Sequence, residues 1–215
     1  MNHWTVDATK ILTAAEIVRV LADLKRRARR SPNSRQNLAV FRLAACCGLR
    51  VSEIIGLRLG DVRVGVDRPY IQVRAPIAKG RKARRVPLWW DQGTLDDLTG
   101  WREFRSHQGA GPADSFICSQ AGSSLGKPID RQNARHRFRA ACRVLGPERI
   151  ATLTIHHGRH SFISHALAGG RTLAEVRDAA GHANIATTSL YTHVATDDDG
   201  RVGNLFGFTA KPEVA

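Results

Sequence analysis

The first third of the chain has the periodicity of packed helices. Thr13 and Glu16 are spaced as in a capping box. An apolar stripe follows at intervals of three or four residues: Ile17, Val20, Leu21 and Leu24. This pattern predicts a helix over 13–29. A second helix is predicted over 34–47, ended by Gly48, and a third short helix begins at Ser52.

The middle of the chain contains short runs typical of strands. YIQV (70–73) and RRVP (84–87) are two such runs, joined by a basic connection that contains AKGRK. SFIC, at 115–118, predicts a further strand fragment before a loop rich in Gly and Ser. Helices are predicted at 91–107 and 130–145, and several short ones follow from 153 onward. The predicted elements thus run from helices through a small sheet to further helices. This order predicts an α+β fold that is mainly α-helical with a small antiparallel β-sheet.

The helix predicted at 130–145 has two distinct faces. Its apolar side carries Ala134, Phe138, Ala141 and Leu145. Another side carries arginines four residues apart: Arg131, Arg135, Arg139 and Arg143. Residues at this spacing share one face of a helix, so the arginines form a basic stripe opposite the core.

The chain is strongly basic. Lys and Arg total 33 against 19 Asp and Glu, which gives a net charge of +14. Such an excess favours a polyanionic partner, either nucleic acid or an anionic membrane. No apolar run approaches the roughly 20 residues of a membrane span, and the N-terminus does not resemble a signal peptide. We therefore expect a cytoplasmic protein that faces nucleic acid rather than a membrane.

The four cysteines do not indicate a disulfide framework or a metal site. Cys46, Cys47, Cys118 and Cys142 contain no C-x-x-C pair. Cys46 and Cys47 lie in an apolar helical segment, so we expect both to be reduced core residues.

Four segments carry side chains that can bind or react at a phosphodiester. They are Arg50 in GLRVSE, Lys79 in AKGRK, His156 and Arg159 in HHGRH, and His182 with Tyr191 in GHANIATTSLY. Arginine forks suit phosphate oxygens, and histidines can add hydrogen bonds to them. A tyrosine hydroxyl can attack phosphorus, and a lysine can protonate the departing hydroxyl. Each residue alone also fits an ordinary role, such as a buried Arg50 paired with Glu53.

The histidine cluster has a second interpretation as a metal site. His156 and His160 stand at i and i+4, as zinc ligands on a helix often do. However, HExxH is absent, and no nearby carboxylate or cysteine completes a ligand set. We therefore expect no metal and interpret His156 as a phosphate contact.

Together the four segments resemble the tyrosine recombinases, or phage-type integrases, over about residues 10–194. GLRVSEIIGLRLGDV resembles the first arginine box of that family, and KGRKARRVPL resembles its sheet-lysine pattern. HHGRH matches its H-x-x-R-H box, whereas GH and TTSLYTH match its last histidine and its nucleophile. All of the boxes occur in the order of the family.

The resemblance implies a set of catalytic residues: Arg50, Lys79, His156, Arg159, His182 and Tyr191. Tyr191 would attack a DNA phosphate, giving a 3′-phosphotyrosine and a free 5′-hydroxyl. Lys79 would act as the general acid, and the arginines and histidines would stabilise the transition state. Glu53 and His160 would support them. Neither a metal nor any other cofactor is implied.

The resemblance also implies partners. Double-stranded DNA is the expected substrate, contacted by basic residues outside the catalytic set: Arg81, Lys82, Arg131, Arg135 and Arg139. A homotetramer is expected on DNA and a monomer in solution. The protein would be associated with the nucleoid and would act in DNA integration or recombination.

Two features differ from the family pattern. His157 and Gly158 stand where the family commonly has an acidic and then an aliphatic residue. The first helix of the catalytic domain begins near residue 13, so we expect the family's N-terminal core-DNA-binding domain to be absent. The catalytic domain is predicted over 1–194, and the tail, 195–215, is predicted to dock on a neighbouring protomer or on its own domain through LFGF (205–208).

A non-catalytic DNA-binding protein or regulator of the same fold is the main alternative function. The basic faces would serve it equally well. Binding alone has no need of a nucleophile, however, so Tyr191 and Lys79 favour the enzyme. A topoisomerase-like activity that nicks and reseals uses the same chemistry and stays open, as does whether Tyr191 acts in its own active site or in a neighbour's.

Overall fold

The fold is taken from a computed structural model, which describes residues 7–192. The predicted docking tail, 195–215, lies outside the described residues. The helices are α1 (Ala14–Ala28), α2 (Pro32–Phe41), α3 (Val51–Gly56), α4 (Gln92–His107), α5 (Arg131–Ala141), α6 (Pro147–Thr152), α7 (Ile155–Ala168), α8 (Leu173–Ala180) and α9 (Ile185–Ser189). The strands are β1 (Val62–Arg63), β2 (Tyr70–Val73) and β3 (Arg84–Pro87). The predicted α+β class, mainly helical with a small antiparallel sheet, is confirmed.

Helix α1 begins at the predicted capping box. The Thr13 hydroxyl accepts a hydrogen bond from the Glu16 amide at 3.1 Å, and the Glu16 carboxylate accepts one from the Thr13 amide at 2.8 Å. These bonds satisfy two amides that a helix start leaves without partners. The predicted stripe faces inward, with Ile17, Val20 and Leu24 buried.

The second predicted helix starts two residues earlier than expected and changes from an α-helix to a π-helix near its end. Ser31 caps α2 and Pro32 occupies its first turn, a position where proline costs no hydrogen bond. After Phe41 the chain continues as a π-helical segment, Arg42–Cys46. Arg42 is buried there and binds the carboxylates of α4 and its cap, Asp97 at 2.8 Å and Asp91 at 3.1 Å.

The sheet is antiparallel with the order β1-β2-β3. The predicted bounds of β2 and β3 are confirmed, whereas β1, only two residues long, was not predicted. The strand predicted at 115–118 is wrong. That segment makes only isolated bridges, Arg58↔Ser115 and Cys118↔Pro128, because its apolar residues fill the core instead of lying on a sheet.

The hydrophobic core is formed in part by the elements that carry the candidate site. Its largest fully buried side chains are Trp101, Phe41, Phe116, Phe138 and Phe162. The predicted burial of Cys46 and Cys47 is confirmed, and burial raises the pKa of both thiols. The face of α5 that carries Phe138 is buried, and its arginine stripe is exposed, as predicted. No helix in the described part of the chain is long and apolar enough to cross a membrane.

Candidate active site

Arg50 and Glu53 lie at the start of α3, three residues apart. Arg50 is the N-cap residue, and the carboxylate of Glu53 accepts its backbone amide at 2.8 Å and its guanidinium at 3.1 Å. Glu53 is fully buried. A carboxylate at the first turn of a helix is favoured by the helix dipole, so this pair fixes the direction of the Arg50 side chain.

A third residue, Arg84, completes this ion cluster. It projects from the inner face of β3 and binds Glu53 through two parallel hydrogen bonds of 2.8 Å each. Burial opposes ionisation of the carboxyl, but hydrogen bonds and charges from Arg84 and Arg50 outweigh it and hold the pKa of Glu53 below its ordinary value. Glu53 therefore stays ionised and anchors both guanidiniums.

Arg159 reaches the same place from the second turn of α7. Its two terminal nitrogens donate to the carbonyls of Gly48 at 2.6 Å and Ala180 at 2.7 Å, and Arg50 donates to the carbonyl of Gly181 at 3.2 Å. Ala180 and Gly181 end α8, where the helix dipole favours cations. Burial, helped by the charge on Arg50, lowers the pKa of Arg159 to about 9, which leaves it charged at neutral pH.

Gly181 is required at this helix end for two reasons. Its φ of 68° lies in the left-handed region, which caps helices and disfavours other residues. A Cβ at this position would stand 2.8 Å from the Cδ of Arg84. The glycine thus allows Arg84 and Arg50 to approach the end of α8 together.

Tyr191 lies in the turn after α9 with its ring buried, only 6% exposed. Its hydroxyl is 2.6 Å from Nδ1 of His160, and the two rings stack with centroids 5.6 Å apart. Burial, together with repulsion from His157 when that ring is protonated, lowers the pKa of His160 to about 4. Burial raises the pKa of Tyr191. At neutral pH the phenol is therefore protonated and the imidazole neutral. In the tautomer that carries its proton on Nε2, His160 accepts the phenolic hydrogen bond at Nδ1.

His182 stands on the other side of the tyrosine. Its ring centroid is 6.5 Å from that of Tyr191, and its Nδ1 lies 2.9 Å from the hydroxyl of Thr188. Thr188 is fully buried on α9. Burial and the charge of Arg159 lower the pKa of His182 to about 4. The threonine holds one ring nitrogen and leaves Nε2 available to another partner.

Lys79 lies across a cavity from this cluster. It is exposed, in the turn Lys79–Arg81 between β2 and β3. The cavity has a volume of about 590 Å³, and its lining includes Lys79, Lys82, Arg84 and His182. A phosphate in this cavity would therefore meet Lys79 and, from the cluster, Arg84 and His182.

His156 lies at the edge of the cluster. It is exposed at the start of α7 and lines a second cavity, of about 520 Å³, together with Arg135 and Arg139. Partial burial and the charges of Arg135 and then Arg159 lower its pKa. Of the predicted catalytic residues, Arg50, Arg159, His182 and Tyr191 thus gather around the end of α8 and the turn after α9, whereas Lys79 and His156 line two separate cavities.

The predicted DNA-contacting residues are all exposed: Arg81, Lys82, Arg131, Arg135 and Arg139. Arg81 and Lys82 flank Lys79 on the β2–β3 loop, where Arg81 has a positive φ of 54°. Arg139 donates weakly to the carbonyl of Leu153 at 3.4 Å. These exposed positions are accessible to a phosphate backbone.

The unusual Gly158 in the histidine box is explained by packing. A Cβ at Gly158 would approach the Phe138 ring and the Ala44 Cβ to 3.1 Å each. Phe138 and Ala44 therefore leave little room for a larger side chain at position 158. Over residues 7–192, no three His, Cys, Asp or Glu side chains converge as metal ligands would.

Arg84 and Thr188 are site residues that the sequence predictions omitted. For Arg84 a signal existed, because alternation in RRVP puts it on the same side as the buried Val86. For Thr188 there was none, since its contact with His182 depends on the turn that leads into α9. The carbonyls of Gly48 and Ala180 carry no sequence signal at all.

The chain is similar in sequence to proteins of one known family. The model of the phage integrase family matches residues 10–198. The tyrosine recombinase XerC of Herpetosiphon aurantiacus is 30% identical over 167 residues, which is 77% of this chain and 50% of the relative. That of Stutzerimonas stutzeri is 34% identical over 164 residues, 75% of this chain and 49% of the relative. The chain thus spans about half the length of these relatives.

Solved structures show the same fold. The crystal structure of XerA recombinase has a TM-score of 0.69 at 21% identity, covering 93% of this chain and 62% of that one. XerH site-specific recombinase, bound to its palindromic difH substrate after cleavage, has a TM-score of 0.67 at 22% identity, covering 86% of this chain and 50% of that one. Since the family model matches most of the sequence, the chain belongs to the phage integrase family.

Proposed function

We propose that this protein is a site-specific DNA recombinase that cleaves and rejoins strands through a phosphotyrosine at Tyr191. One observation carries the proposal above all. The Tyr191 hydroxyl lies 2.6 Å from a neutral imidazole nitrogen, within the cluster that holds Arg159 and His182. A buried phenol beside a proton acceptor and fixed cations is the arrangement that attack on phosphorus requires.

The proposed cleavage transfers two protons and replaces the bond from phosphorus to the 5′-oxygen by a bond from phosphorus to the Tyr191 oxygen. The Tyr191 oxygen attacks the scissile phosphorus as its proton passes to Nδ1 of His160. The bond from phosphorus to the 5′-oxygen breaks, and Lys79 protonates the departing 5′-hydroxyl. The DNA keeps a 3′-phosphotyrosine link. A 5′-hydroxyl from a partner strand then reverses these steps and rejoins the DNA.

Fixed cations stabilise the charge that develops on the phosphoryl oxygens. Arg50 and Arg159 are both anchored at the C-terminal end of α8, so they need little reorganisation when the phosphate binds. His182 and His156 add hydrogen bonds, and Glu53 with Arg84 orients Arg50. Because Tyr191 contacts His160 of its own chain, we propose that it acts in cis.

Double-stranded DNA is the proposed substrate. The exposed basic residues beside Lys79 and His156 would bind its backbone: Arg81, Lys82, Arg131, Arg135 and Arg139. A tetramer on DNA, a monomer in solution, and association with the nucleoid follow from the family. Residues 1–194 would be the catalytic domain and 195–215 the tail. A non-catalytic regulator is disfavoured, since binding alone would not require the Tyr191–His160 contact.

Covalent trapping tests the proposal. The full chain would be incubated with supercoiled plasmid in EDTA and low salt, quenched with detergent and examined for protein-linked DNA. We expect an adduct from the wild type and from Tyr70→Phe, and none from Tyr191→Phe. DNA binding without any adduct would favour the regulator, whereas loss of the adduct through EDTA alone would favour a metal mechanism.

A further inference from the structure

The chain turns between the π-helical segment and α3, and this corner holds Arg159 and leads into Arg50. The carbonyl of Gly48 accepts the hydrogen bond of 2.6 Å from Arg159, and Arg50 follows two residues later. The amide of Leu49 donates to the carbonyl of Leu43 at 2.9 Å, which ties the corner to the π-helical segment. A shift of this corner would therefore move the acceptor of Arg159 and the backbone of Arg50 together.

The ring of Phe162 packs directly against this corner. Gly48 has a φ of 64°, in the left-handed region that favours glycine. A Cβ on Gly48 would stand 2.3 Å from Cδ1 and 2.9 Å from Cγ of Phe162. The ring thus occupies the space of the missing side chain, at a distance that only a glycine permits. The backbone of Gly48 cannot move toward α7 without meeting this ring.

Phe162 is itself held by aromatic packing. It is 1% exposed, and its ring lies nearly parallel to that of Trp90, with an interplanar angle of 11° and centroids 6.3 Å apart. Trp90 is buried as well, and the guanidinium of Arg171 lies 4.7 Å from the centre of its ring. Close-packed interiors have few voids, so the ring of Phe162 has little room to turn away from Gly48.

The same helix carries Phe162 and Arg159. They stand three residues apart on α7, so their side chains share one side of it. One helix therefore supplies the guanidinium and also the ring that packs on one of its carbonyl acceptors. Phe162 has no polar side-chain atom and is buried, so it cannot form a hydrogen bond with a phosphate. Its effect on Arg159 passes through the backbone at Gly48.

We propose that Phe162 is a positioning residue for the reaction: it sets the Gly48 carbonyl, and through it the direction of Arg159 and the start of Arg50. The reaction itself rests on the proposed function, whereas the packing of Phe162 on Gly48 does not. Donors stabilise a transition state best when they already point at the charge that develops. A residue that only fills the core would affect the stability of the fold and not cleavage by the folded protein, so the two roles are distinguishable.

The effect of Phe162→Leu on cleavage tests this role, with Phe116→Leu as the matched control. Phe116 is also fully buried, but its backbone bonds to Leu57 and Trp101, which are not site residues. The full chain would be used under conditions in which urea unfolding shows each variant to be folded. Phe162→Met, which fills more of the space, is measured alongside in case Phe162→Leu does not fold.

The rate of adduct formation on supercoiled plasmid at saturating protein would be compared with the affinity for duplex DNA from fluorescence anisotropy. Since a misplacement of about 1 Å can cost about 10²-fold in rate, we expect Phe162→Leu to slow the adduct by about 10–10²-fold. Phe162→Met should slow it less, and the affinity of both should stay within about twofold of wild type. The control should keep both the rate and the affinity. A folded Phe162 variant that cleaves as fast as the control would overturn the proposal.

A double-mutant cycle tests whether Phe162 acts through Gly48. Gly48→Ala forces a Cβ against the ring and should slow adduct formation, and shortening the ring to leucine relieves that contact. The slowing in Gly48→Ala/Phe162→Leu should therefore be smaller than the product of the two single effects, by at least about twofold. Effects that simply multiply would overturn the route through Gly48. A wild type that forms no Tyr191-dependent adduct would instead overturn the proposed function, and the role of Phe162 with it.

Discussion

At the scale of single residues, the proposed cleavage depends on where one proton goes. In the proposed step the phenolic proton of Tyr191 passes to His160, but that imidazole lies among positive or potentially positive groups: His157, His156, Arg159 and Lys10. Protonating it without a substrate is therefore unfavourable. A bound phosphate would bring negative charge to the cluster and favour the transfer, so we expect the proposed nucleophile to be activated mainly when DNA is present.

Replacing His160 by Phe should separate activation of the nucleophile from protonation of the leaving group. The ring can still stack on Tyr191, but no nitrogen accepts its proton, so cleavage should slow by about 10²–10⁴-fold. A substrate with sulfur at the 5′-bridging position needs no general acid. This substrate should restore the cleavage rate of Lys79→Ala, whereas cleavage by His160→Phe should stay slow. Single-turnover rates within a few-fold of wild type for His160→Phe would contradict this role.

Replacing Glu53 by Gln should affect stability as well as activity. The carboxylate is fully buried between Arg50 and Arg84, and removing one partner of a buried ion cluster costs about 3–5 kcal/mol. Urea unfolding would measure this loss. Glu148→Gln, at an exposed position on α6, is the matched control and should change the free energy of unfolding by less than about 0.5 kcal/mol.

Single-residue predictions from sequence reached the charged groups and two residues beside them, Glu53 and His160, but not Arg84, Thr188 or the backbone carbonyls that hold the arginines. Arg50, Arg159 and Tyr191 could be named because chemistry restricts which side chains can act on phosphate. Their anchors are largely backbone carbonyls at Gly48, Ala180 and Gly181, which every residue possesses. Only folding decides which carbonyls meet a guanidinium.

At the scale of elements, α7 is placed by close packing at Gly158. The helix approaches the π-helical segment at Ala44 and the ring of Phe138 on α5 so closely that a Cβ would stand 3.1 Å from each. Because α7 carries Arg159 and His160, this contact sets the depth of both side chains in the site.

Gly158→Ala should therefore destabilise the protein although alanine is the better helix former. Alanine gains about 1 kcal/mol in helix propensity, but overpacking a core typically costs 1–3 kcal/mol. Gly100→Ala in α4 is the matched control, since a Cβ there meets nothing within 4 Å. The control should raise the free energy of urea unfolding by up to about 1 kcal/mol. Equal stabilisation of both variants would contradict the packing account.

Elements with a strong pattern were predictable, and those determined by tertiary contacts were not. The capping box of α1 and the alternation of β2 and β3 are local signals, and the structure follows them. The run at 115–118 looked like a strand because its residues are apolar, yet burial alone does not supply a pairing partner. The π turn after α2 depends on Arg42 reaching Asp91 and Asp97 from another helix.

At the scale of the whole molecule, acid should weaken the fold from pH 6.5 downward. The pKa values of His160 and His182 fall to about 4 in the folded protein, below the ordinary 6.5, and that of Glu53 also falls. Groups with lowered pKa values contribute stability that is present at neutral pH. The histidine contribution is lost as pH falls from 6.5 to 4, and that of Glu53 is lost below its unfolded pKa.

Urea unfolding at pH 7 and pH 5 measures this effect. The free energy of unfolding should be lower at pH 5, and a His160→Asn/His182→Asn variant should show a smaller difference between the two pH values. Equal or greater stability of the wild type at pH 5 would mean that these imidazoles are not held neutral by the fold.

The central claim is that Tyr191 becomes covalently joined to DNA, and peptide mapping of the trapped adduct tests it most directly. The chain has two tyrosines, Tyr70 and Tyr191, and trypsin separates them. After nuclease and trypsin digestion, we expect a 3′-linked nucleotide on the peptide 178–201, which contains Tyr191 and no other tyrosine. A nucleotide on any other peptide, or on a residue other than Tyr191, would contradict the account.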